Sequence, residues 1–267
     1  MLRLISFAVG AILSLAVLIA AALPRDKAEP DPHAALHKHP KHVEFAQDGI
    51  FGKFDRAQLQ RGYQVYKEVC AACHSMNLVA FRNLTALGFT EAEVKALAAQ
   101  SDVPTIDDKT GDETTRKAVP ADHFPAPFPN DAAAKAANNG KAPPDLSLIA
   151  KARHGGASYL YSILTGYEDK PADVEIAETA HYNPYFAGLA IAMPAPLTSD
   201  GQVEYADGTK ASIDQMAKDV SAFMEWAAEP KLEDRKRMGL GVLMFLLILC
   251  VITFRSYKKI WANVKGH

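Results

Sequence analysis

The feature that most constrains this chain is the run Cys-Ala-Ala-Cys-His at residues 70–74. Two thiols separated by two residues and followed directly by an imidazole are typical of a covalent attachment site for c-type haem. Cys70 and Cys73 would each form a thioether with a haem vinyl group, and His74 would coordinate the iron on the proximal side. The motif therefore predicts an electron carrier that is built around one covalently bound haem.

Two other interpretations of the cysteine pair are less consistent with the rest of the chain. A thioredoxin-like redox pair requires a βαβ context, whereas the residues before Cys70 have a helical pattern. A structural zinc site requires four ligands, and no second Cys/His pair with suitable spacing is present. The third cysteine, Cys250, lies in an apolar run, so no pair is left for an intrachain disulfide once two cysteines carry haem.

Charge is distributed unevenly along the chain. Residues 1–23 hold one basic and no acidic side chain, and residues 231–267 hold eight basic and two acidic ones. The part between them, residues 24–230, holds 20 basic and 29 acidic side chains, a net charge of −9. This acidic body predicts a cationic soluble partner attracted over long range, with solubility alone as the alternative. The sequence contains no stripe of basic residues of the kind that binds nucleic acid.

An uncharged stretch near the C-terminus predicts a membrane anchor. Residues 238–254 are 17 residues without a charge, and as a helix they would be about 25 Å long. Arg237 and Arg255 flank the stretch and can reach the headgroups, which opposes the alternative of a buried core helix. We predict a transmembrane helix over residues 236–256, followed by a cytoplasmic tail at residues 257–267.

The N-terminal 22 residues predict export. Arg3 precedes an apolar run, and Ala20–Ala22 resembles a cleavage site. Covalent haem attachment takes place outside the cytoplasmic membrane, so the globular part would be periplasmic. Residues 1–22 are then either a cleaved signal peptide or a retained hydrophobic segment. Residues 23–43 are predicted as an extended, exposed arm whose histidines have metal binding as an alternative role.

Helical patterns dominate the body at residues 44–230, so the fold class is mainly α, with long loops. Asp55 and Gln58 predict the start of a helix that leads into Cys70. Its Gly62 would let it cross closely with a last helix that ends near Trp226. A small hairpin is predicted at residues 200–209 from two Asp-Gly pairs, and residues 101–130 are predicted as a surface insertion. Further helices are predicted to start at Thr90, Asp131, Pro143, Ala157 and Ser212.

The sequence also indicates a second axial ligand. Met193 precedes Pro194, which disfavours helical geometry at Met193 and predicts an extended loop that could hold a weak thioether ligand. Met216 and Met224 lie on an apolar helical stripe and are predicted to be core residues. The competing distal ligands are His154, otherwise a structural histidine, and His181. Thioether ligation would raise the reduction potential relative to a bis-histidine haem.

Several separate stretches of the chain together indicate a family. They are residues 61–76, 136–140, 143–147, 152–156, 164–167, 183–186, 192–194, 226–230 and 235–239. The first contains the helix before the haem motif, and the last contains the start of the membrane anchor. These stretches resemble the cytochrome c1 family in its bacterial, alphaproteobacterial-like form, and the resemblance extends from about residue 44 to residue 260.

The resemblance implies the composition of the site. His74 and Met193 would be the axial ligands of one haem c attached at Cys70 and Cys73. Four further residues match family positions around the haem, the first two near its propionates and the others in the pocket: Arg153, Tyr159, Asn138 and Pro143. From the residues alone, Arg153 could pair with a propionate or be an ordinary surface arginine.

The resemblance also implies a function. The family takes one electron from a Rieske iron–sulfur protein and passes it to a cytochrome c, within a dimeric membrane complex with cytochrome b. The chain would then be the electron-transfer subunit of ubiquinol–cytochrome c reductase in the bacterial inner membrane. Two alternatives are a free-standing anchored cytochrome that serves a terminal oxidase and a haem peroxidase, which needs an open sixth position. Some bacterial relatives carry a disulfide that this chain has no cysteines to form.

Overall fold

A computed structural model describes residues 2–22, 34–172 and 174–263. The chain divides into two units, residues 1–36 and 37–267. The first unit contains helix α1 (Leu2–Ala22), with an apolar stretch at Ile5–Ile19, and a 3₁₀ turn at Ala34–Leu36. Much of the predicted arm, residues 23–33, lies outside the described residues.

The second unit is mainly helical, which confirms the predicted fold class. Its two small antiparallel sheets pair β1 (Asp102–Ile106) with β2 (Glu113–Lys117) and β3 (His181–Tyr182) with β4 (Ala190–Ile191). Short 3₁₀ helices occur at Cys70–Ala72 and Phe81–Leu87. The α-helices are α2 (Arg56–Glu68), α3 (Glu91–Ala98), α4 (Asp131–Ala137), α5 (Ile149–Ala152), α6 (Gly156–Leu164), α7 (Ile213–Ala228) and α8 (Leu232–Ile260).

Helices α2 and α7 cross at Gly62, as predicted. A Cβ atom on Gly62 would lie 2.1 Å from the backbone oxygen of Asp219 and 2.7 Å from Cβ of Phe223. Only glycine permits this approach. Next to the crossing, the buried Asp219 carboxylate accepts a 2.9 Å hydrogen bond from Nε of Arg61. Burial would lower the pKa of Arg61, but hydrogen bonds to Asp219 and Asp207 outweigh it and raise the pKa.

An aromatic cluster fills the core between these helices. Tyr66 stacks on Phe124 with ring centroids 5.9 Å apart, and Phe223 stacks on Trp226 at 5.6 Å. Fully burying side chains of this size contributes roughly 1.5–3 kcal/mol each. Met216 and Met224 are buried in the same core, as predicted. The core therefore lies directly beside the end of α2, where the haem motif follows.

The described end of the arm lies against α6. The backbone N–H of Lys41 donates to Oγ of Ser162 at 2.8 Å, and Nζ of Lys41 donates to Oγ1 of Thr165 at 2.8 Å. Lys38 pairs with Glu168 at 2.6 Å. Residues 37–43 thus run along α6 and join the domain through specific polar contacts.

Two local predictions are wrong. Residues 200–209 form successive turns and not a hairpin. The Glu204 carbonyl, which would bond to the partner strand of a hairpin, instead accepts a 2.8 Å hydrogen bond from Nε2 of Gln64 in α2. No helix starts at Pro143. The Asp145 side chain bonds to the haem-motif loop and does not cap a helix. The next helix, α5, begins at Ile149. The interval 101–130, predicted as a long surface insertion, contains the β1–β2 hairpin.

Helix α8 has the dimensions of a membrane span. It is 29 residues long, its most apolar 18-residue window has a mean hydropathy of 2.3, and that window is not buried by the rest of the protein. At 1.5 Å per residue the helix is about 44 Å long. It follows α7 after a break at Pro230, as predicted. Among the described helices, α8 is the one long and apolar enough to cross a bilayer.

Candidate haem site

The haem motif forms a tight turn at the end of α2. The backbone N–H groups of Cys73 and His74 both donate to the Cys70 carbonyl, at 3.1 and 2.9 Å. Cys70 is half-buried against the core and Cys73 is exposed. Burial, with a smaller contribution from Cys73, raises the pKa of the Cys70 thiol to about 12. The turn places both thiols and the imidazole within one short loop next to the core.

The His74 ring is held in a single tautomer by a backbone carbonyl. Its Nδ1 atom lies 2.8 Å from the Pro144 oxygen. Because a carbonyl only accepts hydrogen bonds, Nδ1 carries the proton, and Nε2 keeps its lone pair for a metal. Burial lowers the pKa of His74, although Pro144 and Asp145 act in the opposite direction. The neutral imidazole is the form that binds iron.

A clamp formed by residues 144–147 fixes the loop after His74. Oδ2 of Asp145 accepts hydrogen bonds from Oγ of Ser75 and the backbone N–H of Asn77, both at 2.8 Å, and Oδ1 accepts from the Ser147 N–H at 2.9 Å. The Leu78 N–H donates to Oγ of Ser147 at 3.0 Å. Burial would raise the pKa of Asp145, but these hydrogen bonds outweigh it and lower the pKa.

Sequence reasoning missed this clamp. Asp145 bonds the N–H two residues ahead of it, which is an Asx turn, and Asp followed by Ser two residues later is its local signal. The pairing of this turn with residues 75–78, about 70 positions away, has no local signal. The Asp145 carboxylate binds the loop after His74 and does not cap a helix.

Met193 lies in a loop that is fixed on both sides, because after Met193 the Pro196 carbonyl accepts a 2.9 Å hydrogen bond from Nε2 of Gln202. Met193 is half-buried and packs against the same core as Cys70. Its carbonyl accepts a 3.0 Å hydrogen bond from the Tyr167 hydroxyl, a contact that sequence reasoning also missed. Just before the loop, β4 pairs with β3, and Nδ2 of the adjacent Asn183 donates to the Ile163 carbonyl of α6 at 2.9 Å. The loop therefore has little freedom at its ends.

The other candidate residues have separate positions. Arg153 is exposed, donates to the Ala152 carbonyl at 3.0 Å, and has no ion-pair partner among the described residues. Burial raises the pKa of Tyr159, while the charge and hydrogen bond of Arg153 counteract that rise, so the two side chains are neighbours. Asn138 closes α4 through the Ala134 carbonyl at 2.8 Å. Pro143 is half-buried.

The donor set fits a haem c. Two unbridged thiols and an imidazole with a free Nε2 lie in one short loop, and Cys70 of that loop packs against the same core as Met193. A zinc site is disfavoured, because no group of three or more His, Cys, Asp or Glu side chains in the described part of the chain is placed to hold a metal. His154 and His181, the competing distal ligands, are both exposed.

These observations define a mainly helical c-type haem protein with a C-terminal helix that could span a membrane. The model of the Cytochrome C1 family matches residues 45–264. The chain therefore belongs to the cytochrome c1 family, as the sequence resemblance indicated.

Curated relatives support the same conclusion. The chain is 49% identical to cytochrome c1 of Rhodospirillum rubrum over 247 residues, which cover 86% of this chain and 89% of that protein. It is 50% identical to a mitochondrial cytochrome c1-2 heme protein of Solanum tuberosum over 219 residues, 82% of this chain and 84% of the relative. A third relative, cytochrome b/c1 of Bradyrhizobium diazoefficiens, is 47% identical over 80% of this chain and 34% of its own length.

Family membership establishes the cofactor and the general role. The protein carries a covalently bound haem c with iron and is a haem electron-transfer subunit of the cytochrome bc1 complex. Its helix α8 is suited to anchor it in the membrane.

Proposed function

We propose that this chain takes single electrons from a Rieske iron–sulfur protein and passes them to cytochrome c through a haem ligated by His74 and Met193. The observation that carries the proposal is the 2.8 Å contact between Nδ1 of His74 and the Pro144 carbonyl. This contact leaves Nε2 of the motif histidine free to bind a metal, in a chain of the cytochrome c1 family. The haem supplies a one-electron couple between ferric and ferrous iron.

Each site residue has a defined role in this proposal. Cys70 and Cys73 hold the haem covalently, and the Pro144–Ser147 clamp orients His74. Tyr167 positions the Met193 loop through its backbone carbonyl. Arg153 and Tyr159 are neighbours and would bind the propionates, because a guanidinium matches a carboxylate in two-point contact. Two further residues line the pocket: Asn138 and Pro143.

Two protein ligands on the iron restrict the chemistry to electron transfer. If His74 and Met193 both bind the iron, no position would be left for a substrate, which would separate this protein from a haem peroxidase. The haem would supply electron transfer through an exposed edge, and Cys73, one of its two attachment residues, is exposed.

The membrane arrangement follows from the haem. Its attachment outside the cytoplasm places residues 44–230 in the periplasm of a bacterial cell, and the C-terminal tail at residues 257–267 in the cytoplasm. Residues 1–22 serve as an export signal or as a second hydrophobic segment. Cytochrome b is the expected partner in a dimeric complex, in line with the Bradyrhizobium relative whose name joins cytochromes b and c1.

Purification in mild detergent tests the complex. An affinity tag after His267 should recover the chain together with a b-type haem protein and an iron–sulfur protein, and added quinol should reduce its c-type haem. The same membranes from a strain without cytochrome b are the control and should show no quinol-dependent reduction. Recovery of the chain alone, with quinol reduction intact in the control strain, would instead support a free-standing shuttle to an oxidase.

Electrostatic attraction of the soluble partner gives a salt-dependent rate. Because residues 24–230 have a net charge of −9, electron transfer to a basic cytochrome c should slow by about tenfold or more as salt screens the attraction. Stopped-flow oxidation of the reduced haem at increasing ionic strength measures this. An acidic cytochrome c serves as the control and should react faster as salt is added. Equal rates across the salt range for the basic partner would remove the steering role.

A further inference from the structure

The loop of residues 47–52 is fastened at both ends to the start of α8. Nζ of Lys236 donates to the carbonyls of Gln47 and Gly52, at 2.6 and 3.2 Å. Just after the loop, the Phe54 N–H donates to Oε1 of Glu233 at 3.0 Å, about one turn earlier in the same helix. The loop therefore has a fixed position relative to the first two turns of α8.

The loop is also closed upon itself. The Asp48 N–H donates to the Phe45 carbonyl at 3.0 Å, and Oδ2 of Asp48 accepts from the Phe45 N–H at 2.8 Å. The Lys53 N–H donates to the Ala46 carbonyl at 3.0 Å. A Cβ on Gly52 would lie 1.9 Å from the Asp48 oxygen, so the chain turns as tightly as glycine allows. Such a loop presents its tip in a fixed place.

The tip of this rigid loop is apolar and almost fully exposed. Ile50 is 74% exposed and Phe51 is 80% exposed. Single exposed apolar side chains are common on protein surfaces. Within the described part of residues 37–231, however, Ile50 and Phe51 are the one pair of large exposed apolar residues adjacent in sequence. The domain gains no core packing from them, and apolar side chains exposed together are typical of a surface that contacts a partner.

The position of the loop indicates which partner that is. Lys236 lies two residues before Met238, the first residue of the uncharged stretch of α8, a rise of about 3 Å along the helix axis. The loop ends are therefore level with the point where α8 enters the bilayer. Lys53 is exposed beside the tip, and a cation at this level favours lipid headgroups. Arg235 and Arg237 in α8 are exposed as well, but they pair with Glu229 and Asp234.

We propose that Ile50 and Phe51 insert into the interfacial layer of the lipid bilayer and form a second membrane contact of the haem domain. Apolar side chains flanked by cations bind this layer by burying apolar area among headgroups and upper acyl chains. Because the loop is bonded to α8, the insertion would fix the height and tilt of the domain above the membrane. The inference goes beyond the proposed electron-transfer role and does not depend on the haem ligands.

Spin labelling of the full-length, haem-loaded chain in vesicles of phosphatidylcholine and phosphatidylglycerol tests this contact. In a Cys250→Ser background, a nitroxide is attached at Phe51→Cys, and at Ile50→Cys as a second position. Ile106→Cys, 63% exposed on the β1–β2 hairpin, is the matched control for an aqueous apolar site. Leu247→Cys, also 63% exposed but in α8, is the control for lipid. The readout is the ratio of collisions with oxygen to collisions with a water-soluble nickel complex.

The expected ratio at residues 50 and 51 is several-fold higher than at residue 106 and approaches that at residue 247. A ratio equal to that at residue 106, with residue 247 still in lipid, would overturn the inference. The contact of the loop tip would then be with a partner protein and not with lipid. Low access to both reagents at residue 51 would also overturn it. The absorbance spectrum and reduction potential of the same samples report on the haem separately, so failure of either proposal can be recognised.

Discussion

The Met193→Leu chain should keep its covalent haem and lose a large part of its reduction potential. The thioethers at Cys70 and Cys73 do not depend on Met193, so attachment is expected to be unchanged. Leucine cannot coordinate iron, and thioether ligation is what raises the potential of this type of haem. The expected fall is on the order of a few hundred millivolts, within the roughly 0.8 V range that axial ligands cover. An optical redox titration measures it.

Two companion variants separate ligand loss from general perturbation. Met216→Leu makes the same chemical change at a fully buried core methionine and should leave the potential nearly unchanged. Tyr167→Phe removes the 3.0 Å hydrogen bond to the Met193 carbonyl, so it should loosen the ligand loop and give a smaller fall. If Met193→Leu retained the potential of the unmodified chain, the distal ligand would have to be sought elsewhere, first at His154 and His181.

The site could be predicted from sequence only where its chemistry is local. Cys70, Cys73 and His74 lie within five residues, and their spacing alone indicates haem attachment. The groups that orient them are distant in sequence: Pro144 holds the His74 ring from 70 positions away, and Tyr167 holds the Met193 backbone from 26. In both contacts the acceptor is a backbone carbonyl, which any residue type can supply, so no pattern in the sequence predicts them.

Helices with strong capping signals were predicted well, whereas strands were not. Thr90 and Glu93 form a complete capping box that starts α3 as the sequence indicates. The β1–β2 hairpin has no alternating apolar pattern, because every side chain of β2 is exposed. Asp-Gly pairs at residues 200–208 do mark turns, but a turn becomes a hairpin only when the flanking backbone pairs. There the N–H of Gly201 bonds the Ala211 carbonyl at 2.7 Å, outside any ladder.

Replacing Gly62 by alanine should destabilise the whole haem domain. The new Cβ would lie 2.1 Å from the Asp219 backbone oxygen. Because the overlap is with a backbone atom, rotation of a side chain cannot relieve it. Helices α2 and α7 would have to separate, which would loosen the aromatic core beneath the haem motif. Overpacking typically costs about 1–3 kcal/mol, and an overlap with backbone is expected to lie at the upper end of that range. The midpoint of urea unfolding, followed by the haem absorbance, should fall by about 1–3 M.

A matched control is Gly239→Ala in α8, where a new Cβ would meet no atom within 4 Å. In a helix interior alanine is favoured over glycine by about 1 kcal/mol. This variant should therefore not lower the midpoint of unfolding of the haem domain. At residue 62 the same helix preference for alanine would offset part of the free-energy cost of the overlap with Asp219. A Gly62→Ala chain as stable as the unmodified one would mean that α2 and α7 do not meet at Gly62.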